Sequence, residues 1–396
     1  MSMRTNRRAA WRRNLLLAAA GIAGLAIFPD VCVAAVVGSP GTAPGSPDRA
    51  RPPSLATRPA PVIGGSLTLY LENDVFLGTD REYTHGCSVA WMSPDFSVDA
   101  PPPRATGMMF RLLRFIGPDG VRRHRSIAVR QNIYTPEDIE KVKVVEDDVP
   151  YAGVLYMPFG VHEKSPRAIS SLELDVGIIG PHSYAAQVQK KVHGWLGGKK
   201  PAGWANQLHD EIILNLEYDL RRRAYRSSAA RGIALDAIPY FGYGLGNMRI
   251  YAKVGAQIRV GWHLPNNFGS YNLQPSCECS AAPGPASSPA GQPGPDDVVP
   301  GIARRSRSAH VLPAFSFHLY AAAEGEGVAH DIFLDGNTFG KSHSVRRKPW
   351  IGRTTVGFGL RIHRVKLDYS FVFKTTTFRA QPTGHRYGGI TLTLIY

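Results

Sequence analysis

Strict two-residue alternation, repeated in segments of about ten residues with charges on the polar side, constrains this chain more than any other feature. In "EIILNLEYDL", Ile212, Leu214, Leu216, Tyr218 and Leu220 share one face, while Glu211, Asn215, Glu217 and Asp219 share the other. "VKLDYSFVFK" sets Val365, Leu367, Tyr369, Phe371 and Phe373 against Lys366, Asp368, Ser370 and Lys374. "SLELDVGII" repeats the pattern with Glu173 and Asp175. Such segments are strands with one apolar and one polar face. A soluble sandwich and a transmembrane barrel both use them. Ten residues is the length of a tilted membrane strand. A lipid-facing Lys or Arg at mid-depth costs about 2–4 kcal/mol, so in a barrel these charges must face the lumen. The pattern predicts an all-β, transmembrane antiparallel β-barrel of about twelve strands over residues 63–396.

Both ends of the chain agree. "MSMRTNRRAAWRR" is basic, "NLLLAAAGIAGLAIF" is apolar and "VCVAA" ends in small residues, which predicts a signal peptide over residues 1–35. The last residues, "GGITLTLIY", put Ile390, Leu392, Leu394 and Tyr396 on one face and resemble the insertion signal of outer-membrane barrels. Residues 36–62 read as a flexible leader, and a Pro/Gly-rich stretch at about 265–306 reads as an insertion. The formal charge of +15 suggests an anionic partner, nucleic acid or the phosphates of a lipid head group; the arginines are scattered and form no nucleic-acid motif, so the charge alone decides nothing. Cys87, Cys277 and Cys279 remain after signal removal, an odd set in which "CEC" is too close for easy bridging, and they are expected to be structural or incidental.

One segment breaks the alternation. "HSYAAQVQKKVHGWLGG" carries Val188, Val192, Trp195 and Leu196 at helical spacing, with a possible Ser183 cap and a Gly197-Gly198 stop. It predicts one loop helix of about three turns, with Gln189 and His193 sharing a face. With a periplasmic N-terminus, every odd-to-even connection lies at the outer rim. The first follows Asn73 and Asp74 and precedes Thr84; the second carries Lys141; the third is the helix. The polar clusters are therefore expected to meet at one extracellular mouth. A His for general base, a Lys for an anion, and a carboxylate beside an amide for a hard cation suit ester hydrolysis. On residues alone these read more readily as hydrogen-bonded loop anchors. Asp80, Arg81 and His85 read as hairpin structure.

The ordered segments "ENDVFLGTDREYTHG", "QNIYTPEDI", "DDVPYAG", "DVGIIGP", "QVQKKVHGWLG" and "GWANQLHDE" resemble the outer-membrane lipid A 3′-O-deacylases. The resemblance runs from about Ser66 to Tyr396. It implies a site between the barrel wall and an extracellular loop helix, and a calcium-dependent hydrolase removing acyl chains from the 3′ position of lipid A. Carried over, the catalytic set is Asn73, Asp74, Thr84, Gln189 and His193, with Lys141 binding substrate and Asp74 holding Ca²⁺. An acidic residue expected just beyond the His is Lys199 here, which leaves Asp210 or Glu211 as substitute carboxylates. The expected setting is the cell outer membrane, with a lipopolysaccharide substrate, no nucleic acid and a monomer.

Two other readings compete. A phospholipase-type acyl hydrolase would use His and Ca²⁺ with a serine nucleophile, and Ser183 reads better as a cap. A barrel without catalysis, a pore or structural protein, is kept open by Lys199.

Overall fold

The computed structural model describes residues 65–73, 82–97, 104–113, 121–165, 167–196, 198–227, 231–269 and 314–396. The expected signal peptide and leader lie outside them, as does the insertion beyond Gly269. Twelve strands form one closed antiparallel ring: β1 (Ser66–Asn73), β2 (Glu82–Met92), β3 (Arg122–Thr135), β4 (Ala152–Lys164), β5 (Ala168–Ile179), β6 (Glu211–Arg222), β7 (Ile233–Gly246), β8 (Arg249–Trp262), β9 (Phe315–Asp331), β10 (Trp350–Ile362), β11 (Val365–Lys374) and β12 (His385–Ile395). Each pairs with its sequence neighbours, and β12 closes on β1 from Ser66↔Ile395 to Asn73↔Gly388. Closure leaves no unpaired edge. Two-residue strands, Phe96–Ser97 and Tyr225–Arg226, add to β3 and β7. No helix of the described residues is long and apolar enough to cross a membrane.

The alternation resolves as its chemistry demands. Ile212, Leu214, Val254 and Ile258 stand exposed on the outer face. The opposite positions bury charges that neutralise one another. Arg259, fully buried, grips Asp236 with two bonds of 2.6 and 2.9 Å. Lys253 meets Asp219 at 3.3 Å, Arg353 meets Glu324 at 3.1 Å and Lys366 meets Asp368 at 2.8 Å. Leaving any of these buried charges alone would cost about 3–5 kcal/mol, so the pairs keep the lumen polar and closed up. At the β12–β1 seam, the Tyr396 amide donates to the Gly65 carbonyl at 3.0 Å and the Trp91 indole donates to the Tyr396 hydroxyl. β8 ends and β9 begins at the rim where β1 starts and β12 finishes, which by strand parity is the periplasmic one.

Between β2 and β3, at that same end, lies a helix the alternation gave no reason to expect: α1 (Arg104–Leu112). It packs on the outside of the barrel. Its Phe110, with Leu113 just beyond, buries against Val161, Leu172 and Tyr218, outward positions of β4, β5 and β6. Beneath it an outward ion pair, Arg123 to Glu163 at 2.7 Å, is shielded by Phe110, whose ring lies 4.9 Å from the guanidinium carbon.

Candidate active site

At the outer end of the wall, pairing register lines up one outward-facing row. Gly388 of β12 stands beside Asn73 of β1, followed by His85 of β2, Ile133 of β3 and Gly153 of β4. Asn73 has the parity of Leu67, Leu69 and Leu71, the lipid-facing set of β1. Asn73 therefore faces the exterior wall and not the lumen. In β2 the register against β3 shifts between Tyr83 and His85, which leaves Thr84 at a bulge, a device that re-aims side chains.

The expected helix, α2 (Ala185–Leu196), lies across this row. Glycine allows it to come down: a Cβ on Gly153 would fall 2.1 Å from the Ala185 Cβ. Gln131, another outward residue of β3, donates to the Ser183 carbonyl at 2.7 Å. Ser183 sits in a 3₁₀ turn (Pro181–Ser183), its hydroxyl donating to the Gly180 carbonyl at 2.6 Å; it accepts from the Ala185 amide only at 3.4 Å, so its capping is slight. At the other end the Gly198 amide donates to the His193 carbonyl at 3.0 Å, the wide bond of a Schellman stop. Val188 buries with Ile133, Ile139, Tyr151, Ala185 and Trp204, and Val192 packs beside them. Trp195, expected on the apolar face, is 51% exposed under the Lys191 ammonium. The Leu196 side chain lies outside the described residues.

Gln189 and His193 share one face of α2, as their spacing requires, and both are gripped by the chain that follows. His193 Nδ1 is 2.7 Å from the Lys199 carbonyl. A carbonyl only accepts, so Nδ1 carries the proton and Nε2 keeps its lone pair. Gln189 is buried, and its Oε1 accepts from the Trp204 indole at 2.7 Å. Indole only donates, which fixes the amide sense; the Gln189 NH₂ is enclosed with no hydrogen-bond partner among the described residues. On the wall, the Asn73 amide lies 3.4 Å from His85 Nδ1, and His193 is close enough to His85 for their rings to interact electrostatically. The helix thus brings His193 to the hairpin that carries Asn73.

Lys141 belongs to the second outer connection, which docks on the segment after α2. Ala202 donates to the Ile139 carbonyl at 2.8 Å, and Asn206 to the Val142 carbonyl at 2.6 Å. The Lys141 ammonium is solvent-exposed, 3.7 Å from Asp138. Asp74 lies outside the described residues, and so does the side chain of Thr84. Neither substitute carboxylate turns to the site. Asp210 bonds His182 at 2.6 Å, while Glu211 accepts from Asn247, Asn337 and the Thr338 amide. Among the described residues no three His, Cys, Asp or Glu side chains converge to hold a metal. Amides and imidazoles alone do not fit Ca²⁺, which takes 6–8 oxygens. A calcium ion would depend on Asp74.

Two residues of this site were not singled out from sequence. His85 read as hairpin structure, and only its pairing opposite Asn73 places it on the site's wall. Trp204 stood inside "GWANQLHDE" without a role, because nothing in its spacing announces that its indole reaches Gln189.

A closed twelve-stranded antiparallel barrel with an apolar outer face and a polar lumen is the architecture of an outer-membrane protein. The profile described as "Outer membrane protein LpxR" matches residues 48–396, and the chain belongs to this family. It is an outer-membrane protein of a lipid-modifying enzyme family. Among solved structures, LpxR from Salmonella typhimurium matches with a TM-score of 0.63 at 17% identity, covering 84% of this chain and 100% of that one, a likeness of fold. The β domain of the Bordetella autotransporter BrkA matches over 84% of this chain and 98% of its own at 7% identity, with a TM-score of 0.37. No curated protein sequence matches the chain.

Proposed function

We propose that this protein is a lipid A 3′-O-deacylase, a carboxylic ester hydrolase with His193 as general base. The observation that supports this most is the hold on His193: with Nδ1–H spent on the Lys199 carbonyl, Nε2 is the nitrogen free to accept a proton. A base so oriented contributes about 10²–10⁴-fold to a rate. The cluster's place outside the wall, at its outer end, suits a substrate that never leaves the outer leaflet.

In the reaction, water gives a proton to His193 Nε2 as its oxygen bonds to the ester carbonyl carbon. The carbonyl electron pair moves onto oxygen. Collapse breaks the bond to the sugar oxygen, which takes the proton back from the imidazolium. A fatty acid and a free 3′-hydroxyl result, with no change of oxidation state. Asn73 borders the attacked carbon from the first hairpin. Lys141, exposed on the second loop, attracts a lipid A phosphate. Ca²⁺ bound through Asp74 would polarise the carbonyl.

Mass spectrometry of lipid A from cells with and without the protein tests the reading. Loss of the 3′-linked acyl chains is expected, and an unchanged spectrum rejects it. Cleavage of glycerophospholipids with lipid A untouched would move the protein to the phospholipase reading. Chelation is expected to abolish turnover and Ca²⁺, rather than Zn²⁺, to restore it; full activity in chelator would remove calcium from the proposal. The paired charges across the lumen count against a passive pore, so conductance in planar bilayers should stay at background.

A further inference from the structure

The unspent donors of Gln189 are the least expected feature of the site. The residue is 3% exposed, and a buried amide without an acceptor costs about 1–3 kcal/mol. Such a group persists where something else is meant to accept from it. Turning the amide over would not relieve it, since the Trp204 indole can only donate and demands Oε1. Trp204 is itself held. It is 4% exposed and its ring packs 4.9 Å from that of Tyr151, whose hydroxyl donates to the Ile139 carbonyl at 2.7 Å.

We infer that Trp204 is a positioning residue that fixes the sense of the Gln189 amide, and that the Gln189 NH₂ receives the carbonyl oxygen of the scissile ester. The inference rests on the hydrolase reading and deepens it. Gln189 and His193 are one turn apart on the same face, so a carbonyl oxygen at the amide places its carbon toward the imidazole. The two ends of this face differ in wetness. Gln189 is sealed against the wall, while His193 is partly exposed and reachable by water. The sealed end suits the ester carbonyl, and donors shielded from water act most strongly on a developing oxyanion. The wet end suits the attacking water. Before substrate arrives the donors are unpaired; as negative charge grows on the oxygen, they are satisfied most.

A double-mutant cycle tests this on purified lipid A. Gln189→Ala should lower kcat by about 10²-fold, the usual effect of removing an oxyanion donor. Trp204→Phe should lower kcat about tenfold with KM and the pH profile unchanged, and should have no further effect in the Gln189→Ala background. Trp204→3-benzothienylalanine, which keeps the fused ring and lacks the N–H, should match Trp204→Phe. Equal losses in both backgrounds, or parental kcat in the benzothienyl variant, would overturn the inference. An activity-free readout separates it from the hydrolase reading. In ¹⁵N-indole spectra the Trp204 N–H should exchange slowly, and Gln189→Ala should shift it and speed its exchange; an unmoved resonance refutes the hold on Gln189. If wild-type protein hydrolyses no ester while that resonance behaves as expected, the hydrolase reading fails, the assignment of the amide to an ester carbonyl falls with it, and only the hold by Trp204 stands.

Discussion

Two helices lie on the outside of this barrel, and they differ in nearly everything but that. At the outer end, α2 crosses β3 and β4 and keeps polar residues between itself and the wall: Gln189 buried, His193 at the edge, with Asn73 and His85 beneath. At the periplasmic end, α1 covers β4, β5 and β6 with Phe110 and Leu113, and the polar pair under it is satisfied. Both solve one problem, since an outward-facing polar group on a membrane wall must be shielded from lipid. Under α1, Arg123 and Glu163 neutralise each other completely. Under α2, the amide of Gln189 and Nε2 of His193 are left with bonding capacity. A cover over a completed pair is structure; a cover over an incomplete set is a site.

The contrast breaks most sharply at His193. His193→Ala should eliminate turnover on lipid A, a loss of at least about 10²-fold. The barrel should still migrate as a folded, heat-modifiable species, because α2 rests on the wall without pairing in it. A folded variant that releases acyl chains at the parental rate would end the comparison. Under α1 the opposite is expected. Phe110→Ala removes a fully packed ring over an ion pair, a change that costs about 3–5 kcal/mol in a core. The unfolding midpoint should fall while kcat and KM hold. A kcat defect in that variant would mean that the two covers are coupled through β4, the strand both helices touch.

Much of this was legible in the sequence because membrane alternation is a binary code. Leu214 out and Glu217 in follows from parity, and so does the side on which each connection emerges. The helix over Gln189 and His193 was legible too, since its spacing departs from two to nearly four. Position around and across the wall was not. That His85 stands opposite Ile133 depends on the β2–β3 register, which a bulge at Thr84 shifts by one residue, and no local property of "REYTHGC" declares that bulge. For α1, "RATGMMFRL" sits between a proline cluster and a strand, and its nine residues are too few for periodicity to stand out. Asp210 and Glu211 show the converse: a carboxylate in the right stretch of sequence was already bonded to residues more than 20 positions away in sequence.

A smaller test concerns how firmly His193 is held. Gly198 lies beside the ring, and a Cβ added there would come within 3.2 Å of His193 Nδ1, tight enough to displace either the ring or the Lys199 carbonyl. Gly198→Ala should lower kcat several-fold with barrel stability unchanged. An unaltered kcat would show that the hold tolerates a few tenths of an ångström.

The smallest effect belongs to the connection between β9 and β10, which braces the same outer end from the far side. Its short helix α3 (Ile332–Asp335) ends on Asp335, which bonds His330 at 3.3 Å and Arg347 at 3.1 Å and accepts from the Asp331 amide at 2.9 Å. Partial burial pushes the Asp335 carboxyl up, but bonds from His330 and the Asp331 amide, with the charge of Arg347, outweigh it and hold the carboxyl below its ordinary value. A group depressed on folding stabilises the folded loop above its unfolded pKa, near 3.9, and loses that contribution as pH falls through the folded value. Protease cleavage after Arg346 or Arg347 should therefore stay slow at neutral pH and rise only under strong acid; a pepsin-type enzyme active there can serve as the probe for neighbouring bonds. In Asp335→Asn the rise should already be present at pH 7. The mutation leaves α2 and its clamp untouched, so turnover should be unchanged. If Asp335→Asn instead slows hydrolysis, the bracing loop communicates with the site through Asn337 and His209, which exchange bonds of 2.9 Å at the foot of the segment that carries Trp204.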